Sequence, residues 1–324
     1  MAISQPEYVL ALDFGGTKLT SALVDVTSGR IEASERQPTP SAQGAEVSLQ
    51  AMIQAGRKIL DKSRSLSKSI RGIGISFGGP VSRDRKSVLH SHHVADWDSF
   101  PLTTHVSQVF GLPTYMDNDG NAAALGEWYF GAGRGSENML YIQVSTGVGA
   151  GLVLGKQLYR GQGLAAEFGH VTVMVDGPEC TCGKHGCIES LTGGWALARD
   201  GKAAFEKVGE DSPLKILAGQ NSQGIDAKLV FNAFRQGDPL SKEIVERAFY
   251  YLGIGISNAI IMLDPQIVIV GGGISRAWDI MYPQLQSALG DQLPPMFRKR
   301  ARVEVSSLNG VETLLGAALL TQGF

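Results

Sequence analysis

Apolar and polar positions along this chain switch repeatedly between a period of two and a period of about 3.6, and the switches mark out strands and helices in turn. Residues 8–25, YVLALDFGGTKLTSALVD, read as strand, glycine-rich turn, strand, and residues 139–159, MLYIQVSTGVGAGLVLGKQLY, repeat that grammar. Two hairpins of one design in the two halves suggest a duplicated α/β architecture. Leu49, Met52, Ile53, Gly56, Ile59 and Leu60 recur at helical spacing, which predicts an amphipathic helix over about 44–66. IRGIGISFGGP at 70–80 reads as a strand ending in a glycine turn. DNDGNAAALGEWYFG at 117–131 reads as a helix, with Leu125, Trp128 and Tyr129 as its expected buried stripe. Residues 192–220 read as mixed helix and loop, and Ile244, Ala248, Leu252, Ile256, Ala259 and Leu263 predict a long helix over 240–263. IVIVGGG is a buried strand running into three glycines, followed by a strand near 302–306 and a closing helix at 311–321. Alternating strands and helices argue for layered α/β structure. At 324 residues the chain is long enough for two domains, and motif positions put the boundary near 120.

Composition narrows the partners more than the fold. A formal charge of −2 gives no general attraction to nucleic acid or anionic lipid, and the basic run Arg298, Lys299, Arg300 and Arg302 reads as a solvated face. The start, MAISQPEYVLALDFGG, lacks a signal-peptide profile, and no apolar stretch approaches a membrane span, so a cytoplasmic location is the expectation. Glycine is unusually frequent, with 41 residues, and clusters at DFGGTK, SFGGPV, STGVGAG and VIVGGGI after β-rich runs. Such turns bring backbone N–H groups close to a ligand.

All three cysteines fall within eight residues, in EFGHVTVMVDGPECTCGKHGCIES at 167–190. An odd number closes no disulfide set, and clustered cytosolic thiols read more readily as metal ligands. Cys180, Cys182 and Cys187, spaced C-x-C-x4-C, supply three of the four donors of a tetrahedral Cys3His zinc site. On spacing alone His170 and His185 are both candidates for the fourth. A zinc ribbon directed at nucleic acid would want two C-x2-C pairs and a basic surface, and neither is present.

This stretch resembles the signature of the ROK sugar kinases, an E-x-G-H segment followed by C-x-C-G-x-x-G-C-x-E, here Glu167-Phe-Gly-His170 and Cys180-Thr-Cys-Gly-Lys-His-Gly-Cys187-Ile-Glu189. The likeness runs from DFGGTK through DNDGNAAALGE and STGVG to VGGG. It implies a two-domain actin-like ATPase (ribonuclease H-like) fold with an inter-domain cleft. The smaller domain would hold residues 1–119 with the closing helix at about 311–324, and the larger one 120–310 with the zinc loop.

The resemblance also implies roles. His170 would ligate a structural Zn²⁺ with one ring nitrogen and touch sugar with the other, while Glu167 and Glu189 accept sugar hydroxyls. Gly15, Gly16, Thr17 and Lys18 would face ATP phosphates, with Asp13 near Mg²⁺; a Walker A loop is absent. Thr146 and Gly147 belong to the second phosphate loop, and Gly272 and Gly273 to the loop beside the adenosine. Asp117-Asn118-Asp119 is explicable by helix capping, but the family motif makes Asn118 a sugar ligand and Asp119 the general base. Gly78 and Gly79 stand in the sugar pocket.

Several positions depart from the family pattern. Ser145 and Ala166 replace the usual glycines, so Ser145 would be strained if its φ is positive and the Ala166 methyl would press on the sugar. Gly78-Gly79 replaces a P-G-P sequence, and His93 stands where many relatives have Asn. Together with Leu89-His-Ser91, the GG turn is reminiscent of the N-acetylmannosamine kinase branch. The expected activity is therefore glucokinase-like ATP-dependent phosphorylation of a hexose primary hydroxyl, glucose first, with N-acetylmannosamine, N-acetylglucosamine or fructose as alternatives. The different-class rival is a sugar sensor or transcriptional regulator. Such regulators carry a helix-turn-helix domain ahead of the first phosphate loop, and twelve residues precede Asp13 here. Family precedent implies a homo-oligomer, dimer or tetramer, while charge and hydropathy lead to the expectation of no nucleic-acid or membrane partner.

Overall fold

The computed structural model describes residues 7–91, 94–219, 221–300 and 302–324. His93, singled out above, lies outside them. Ten strands run among the described residues: β1 (Tyr8–Phe14), β2 (Lys18–Asp25), β3 (Arg30–Pro38), β4 (Ile70–Phe77), β5 (Thr114–Asn118), β6 (Met139–Val144), β7 (Val148–Leu154), β8 (Gln157–Tyr159), β9 (Ile267–Gly271) and β10 (Arg302–Val305). The helices are α1 (Gly44–Ser65), α2 (Leu102–Phe110), α3 (Asp119–Phe130), α4 (Ile188–Thr192), α5 (Gly194–Phe205), α6 (Pro213–Ala218), α7 (Ala227–Arg235), α8 (Pro239–Leu263), α9 (Trp278–Gln292) and α10 (Glu312–Leu319). None is long and apolar enough to cross a membrane.

The two sheets share one strand order. The first is β3-β2-β1-β4-β5, and the second, counted from its far edge, is β8-β7-β6-β9-β10. In each, a hairpin lies beside parallel strands: β1 pairs antiparallel with β2 and parallel with β4, while β10 pairs parallel with β9. The repeated hairpin grammar is thus the trace of a repeated sheet.

The chain divides into two compact units: residues 1–141, 151–166 and 307–324 form one, and residues 142–150 and 167–306 the other. Within the first unit, β1 is buried on both faces, so its sequence lacks strict alternation. Leu10, Leu12 and Phe14 join the core under α1 and α2, and Val9 and Ala11 meet Leu314, Leu315, Ala317 and Ala318 of α10. Helix α10 approaches very closely: a Cβ on Gly74 would lie 1.8 Å from the Ala317 carbonyl oxygen. Only small residues permit such backbone contact.

Helix α3 begins two residues later than its sequence pattern implies, because Asp117 and Asn118 close β5. The expected stripe also needs correction. Leu125 is fully buried, but Tyr129 is 45% exposed, and burial wraps all round the helix from Gly120 to Glu127. Alanines and glycines there carry no amphipathic signal, and α10 covers a face that the pattern leaves blank.

Candidate functional site

Register builds the first group of candidates. Parallel pairing of β1, β4 and β5 puts Asp13, Ser76 and Asp117 in one row, and Phe14, Phe77 and Asn118 in the next. The Ser76 hydroxyl donates to Asp13 Oδ1 at 3.0 Å. Burial nevertheless pushes the Asp13 carboxyl up to about 7; Ser76 and Arg36 oppose the rise, while Asp119 and Glu312 add to it. Several carboxylates thus press negative charge on one place, the surplus that a hard divalent cation relieves.

The two glycine turns of this unit are stitched together. Gly15 N donates to Lys18 O at 3.1 Å, closing the β1–β2 hairpin, and Gly78 N donates to Phe14 O at 2.9 Å. Beneath them Trp97 packs edge-on against Phe14, Phe77 and Phe100, with centroids 5.3–5.7 Å apart. Phe14 and Phe77, which lead into the two turns, thus share one aromatic cluster, while Thr17 and Lys18 remain exposed.

Asn118 caps α3, its Oδ1 accepting from Gly120 N at 2.9 Å and Asn121 N at 3.3 Å. Its Nδ2 donates to Asp119 Oδ1 at 3.1 Å and to Gly79 O at 3.3 Å. Capping and orienting Asp119 are therefore one arrangement. Sequence reasoning missed what holds it from behind. Buried Asp117 accepts from Arg160 Nε at 2.6 Å, from Asn118 N and Asn121 Nδ2 at 2.9 Å each, and has Arg85 at 3.9 Å. Arg85 and Arg160 also donate to the Phe324 carbonyl, at 3.1 and 3.0 Å. A charge pair spanning 43 residues of sequence leaves no local signal.

In the second unit the donor atoms of His170, Cys180, Cys182 and Cys187 all lie within 4.8 Å of one another. His170 joins the thiols and His185 does not, although spacing left both open. His170 Nδ1 is 3.7 Å from Cys180 Sγ, and Cys182 Sγ is 3.7 Å from Cys187 Sγ. A tetrahedral zinc with Zn–S bonds of ~2.3 Å has ligand edges of about 3.8 Å, so the cluster fits the ion. Burial raises the Cys180 thiol and pushes Cys187 up to about 12, a tendency that a divalent cation reverses. With Nδ1 on the cluster side, Nε2 is the ring nitrogen left for another partner.

Glu167 is exposed and Glu189 half-buried. The turn at Ser145–Gly147 is closed by Ser145 N donating to Gly147 O at 2.9 Å, and Thr146 is exposed at its tip. Ser145 has no positive φ, so the strain expected from replacing glycine is absent. Ala166 does carry it, at φ +64°, in a region that costs a non-glycine residue about 1 kcal/mol. Gly272 requires glycine twice over, by its φ of +85° and by a Cβ position 2.4 Å from Val144 O; a Cβ on Gly273 would lie 3.9 Å from the Ser145 hydroxyl. The basic run is engaged as a paired face: Arg300 grips Asp264 with two nitrogens and Arg302 pairs with Glu304.

The profile of the ROK family matches residues 9–323. The chain belongs to the ROK family. Glucokinase of Streptomyces coelicolor is 33% identical over 316 residues, 97% of each chain. A crystal structure of a ROK family glucokinase from Streptomyces griseus in complex with glucose and AMPPNP superposes with a TM-score of 0.85 at 34% identity, covering 98% of this chain and all of that one. N-acetylmannosamine kinase of Escherichia fergusonii is 31% identical over 97% of this chain and 98% of its own. The family reaches beyond kinases: a xylose repressor of Caldicellulosiruptor bescii is 29% identical over 80% of this chain and 64% of its own. The two like-ordered sheets are those of the actin-like ATPase fold of ROK glucokinases.

Proposed function

We propose that this ROK protein is an ATP-dependent sugar kinase that phosphorylates the primary hydroxyl of a hexose, glucose in the first instance. The observation that carries this reading is the anchored pair Asn118–Asp119 at the start of α3, its carboxylate held by Asn118 Nδ2 and Gly120 N beside the Asp13 carboxyl. Likeness to glucokinases over nearly the whole chain supports it.

Phosphoryl transfer asks little covalent chemistry of a protein; it asks for alignment, charge neutralisation and a base. Asp119 accepts the proton of the attacking hydroxyl, and Asn118 binds the sugar and fixes the rotamer of its neighbour. Gly78 and Gly79 present backbone to the sugar, while Glu167, Glu189 and His170 Nε2 take its hydroxyls. Gly15, Gly16, Thr17 and Lys18 bind phosphate oxygens, as do Thr146 and Gly147, and Gly272 and Gly273 pack beside the nucleoside. Asp13 is the residue that would hold Mg²⁺, which supplies positive charge to the phosphates when bound. His170, Cys180, Cys182 and Cys187 would hold a structural zinc that fixes the imidazole and the loop carrying Glu189.

A coupled assay for ADP release across glucose, N-acetylmannosamine, N-acetylglucosamine and fructose tests this. Asp119→Asn is expected to lower kcat by ~10²–10⁴-fold or more while calorimetric sugar affinity stays near that of the parent. A near-normal kcat refutes the base assignment. Fastest turnover of N-acetylmannosamine, in keeping with the Gly78–Gly79 turn, would reassign the substrate, and no turnover with any sugar would favour a sensor.

A further inference from the structure

Glu189 makes contacts that a sugar-binding role does not explain. Its Oε2 accepts from Val148 N at 2.9 Å, and its Oε1 accepts from Trp195 Nε1 and Thr181 Oγ1 at 3.3 Å each. Val148 ends the turn that Ser145, Thr146 and Gly147 form, and Thr181 lies between Cys180 and Cys182. One carboxylate therefore bonds both the glycine turn and the metal loop.

The turn is shaped around that carboxylate. A Cβ on Gly147 would sit 2.5 Å from Glu189 Oε2 and 3.2 Å from its carboxyl carbon. Gly147 has no positive φ, so it is a glycine for want of space and not for its backbone conformation. Neighbouring atoms repeat the contact. Gly194 N donates to Ser145 O at 2.8 Å, Trp195 N donates to Thr146 O at 3.1 Å, and a Cβ on Gly169 would lie 2.1 Å from Val148 O. The segment from Cys187 through α4 into α5 thus clasps the turn, with Glu189 as its charged point.

We infer that Glu189 is a positioning residue for the phosphates of ATP: it locks the 145–148 turn in the shape that presents its N–H groups and ties that shape to the metal loop. The inference rests on the proposed role of this turn in binding nucleotide phosphate. The chemistry makes a carboxylate necessary. Three donors converge on two oxygens, and both oxygens must accept. A carboxamide has one oxygen, so Glu189→Gln turns an NH2 group towards either Val148 N–H or the Thr181 and Trp195 donors. Losing a hydrogen bond to a charged group corresponds to roughly a tenfold to hundredfold change in an equilibrium constant.

Calorimetric titration of the zinc-replete full chain with AMPPNP and, separately, with adenosine tests this. Glu189→Gln and Gly147→Ala are each expected to weaken AMPPNP about tenfold or more, with adenosine affinity unchanged. The double variant Gly147→Ala with Glu189→Ala is expected to bind AMPPNP no more weakly than Glu189→Ala alone, because removing the carboxylate leaves room for the new methyl group. Parent-like AMPPNP affinity in both single variants overturns the inference and leaves the kinase reading standing. Equal weakening of adenosine, or additive losses in the double variant, also overturns it. A parent chain that binds no nucleotide overturns both readings.

Discussion

Replacing Gly316 by Ala adds one methyl group where α10 crosses α3, and the structure allows its cost to be worked out. The new Cβ would lie 1.6 Å from Ala122 O, 2.4 Å from Ala122 C and 3.0 Å from Gly126 N. Carbon and oxygen settle at roughly 3.3–3.6 Å, so the helices must part by about 2 Å. Nothing flexible can yield, since every atom met is backbone. Nor can α10 retreat, because Ala317 O already fills the space above Gly74. Overpacking costs typically ~1–3 kcal/mol and occasionally more, and a backbone-to-backbone collision belongs at the upper end, about 3 kcal/mol. At ~2–4 °C per kcal/mol, Tm should fall by about 6 °C or more in a calorimetric scan. Function should follow, because Ala122 is three residues along the helix that Asp119 starts. A shift of about 1 Å in that carboxylate would lower kcat by roughly 10²-fold. Gly290→Ala is the matched control: exposed in α9, with nothing within 4 Å of its Cβ, it should stabilise by up to ~1 kcal/mol. Unchanged Tm and kcat in Gly316→Ala would refute this account of the α3–α10 contact.

Two further outcomes are expected. Burial holds Asp13 protonated below about 7, so at the Mg²⁺ site proposed on this carboxyl protons should compete with the ion, and the apparent dissociation constant for Mg²⁺ should rise towards tenfold per pH unit as pH falls below about 7. The same sign makes Asp13 a stability cost to the metal-free protein that grows as pH rises from 3.8 to about 7; Mg²⁺ titrations showing no pH dependence across that interval would contradict the assignment. Metal analysis should find one zinc per chain, and chelation should speed amide exchange across residues 167–190; folded, metal-replete protein without zinc would exclude the Cys3His site.

Glycine turns after apolar strands, the long helix ending at Leu263 and the cysteine spacing were legible because each is a local pattern whose physical cause lies within a few residues. Asn118 as a helix cap belongs with them. Other features depend on residues far apart in the chain, and no local pattern encodes them. Spacing left His170 and His185 equal, and folding chose His170 by bringing its Nδ1 to Cys180. Arg160 reaches Asp117 across 43 residues and Glu189 reaches Val148 across 41, while Gly316 meets Ala122 from the other end of the chain. Sequence by itself determined the repeated strand grammar, the clustering of three thiols and the supply of carboxylates beside glycine turns. Tertiary structure decided which nitrogen faces the thiols, which acid is backed by arginine and which carboxylate shapes a turn, because burial, charge pairing and backbone contact exist only once distant segments are packed together.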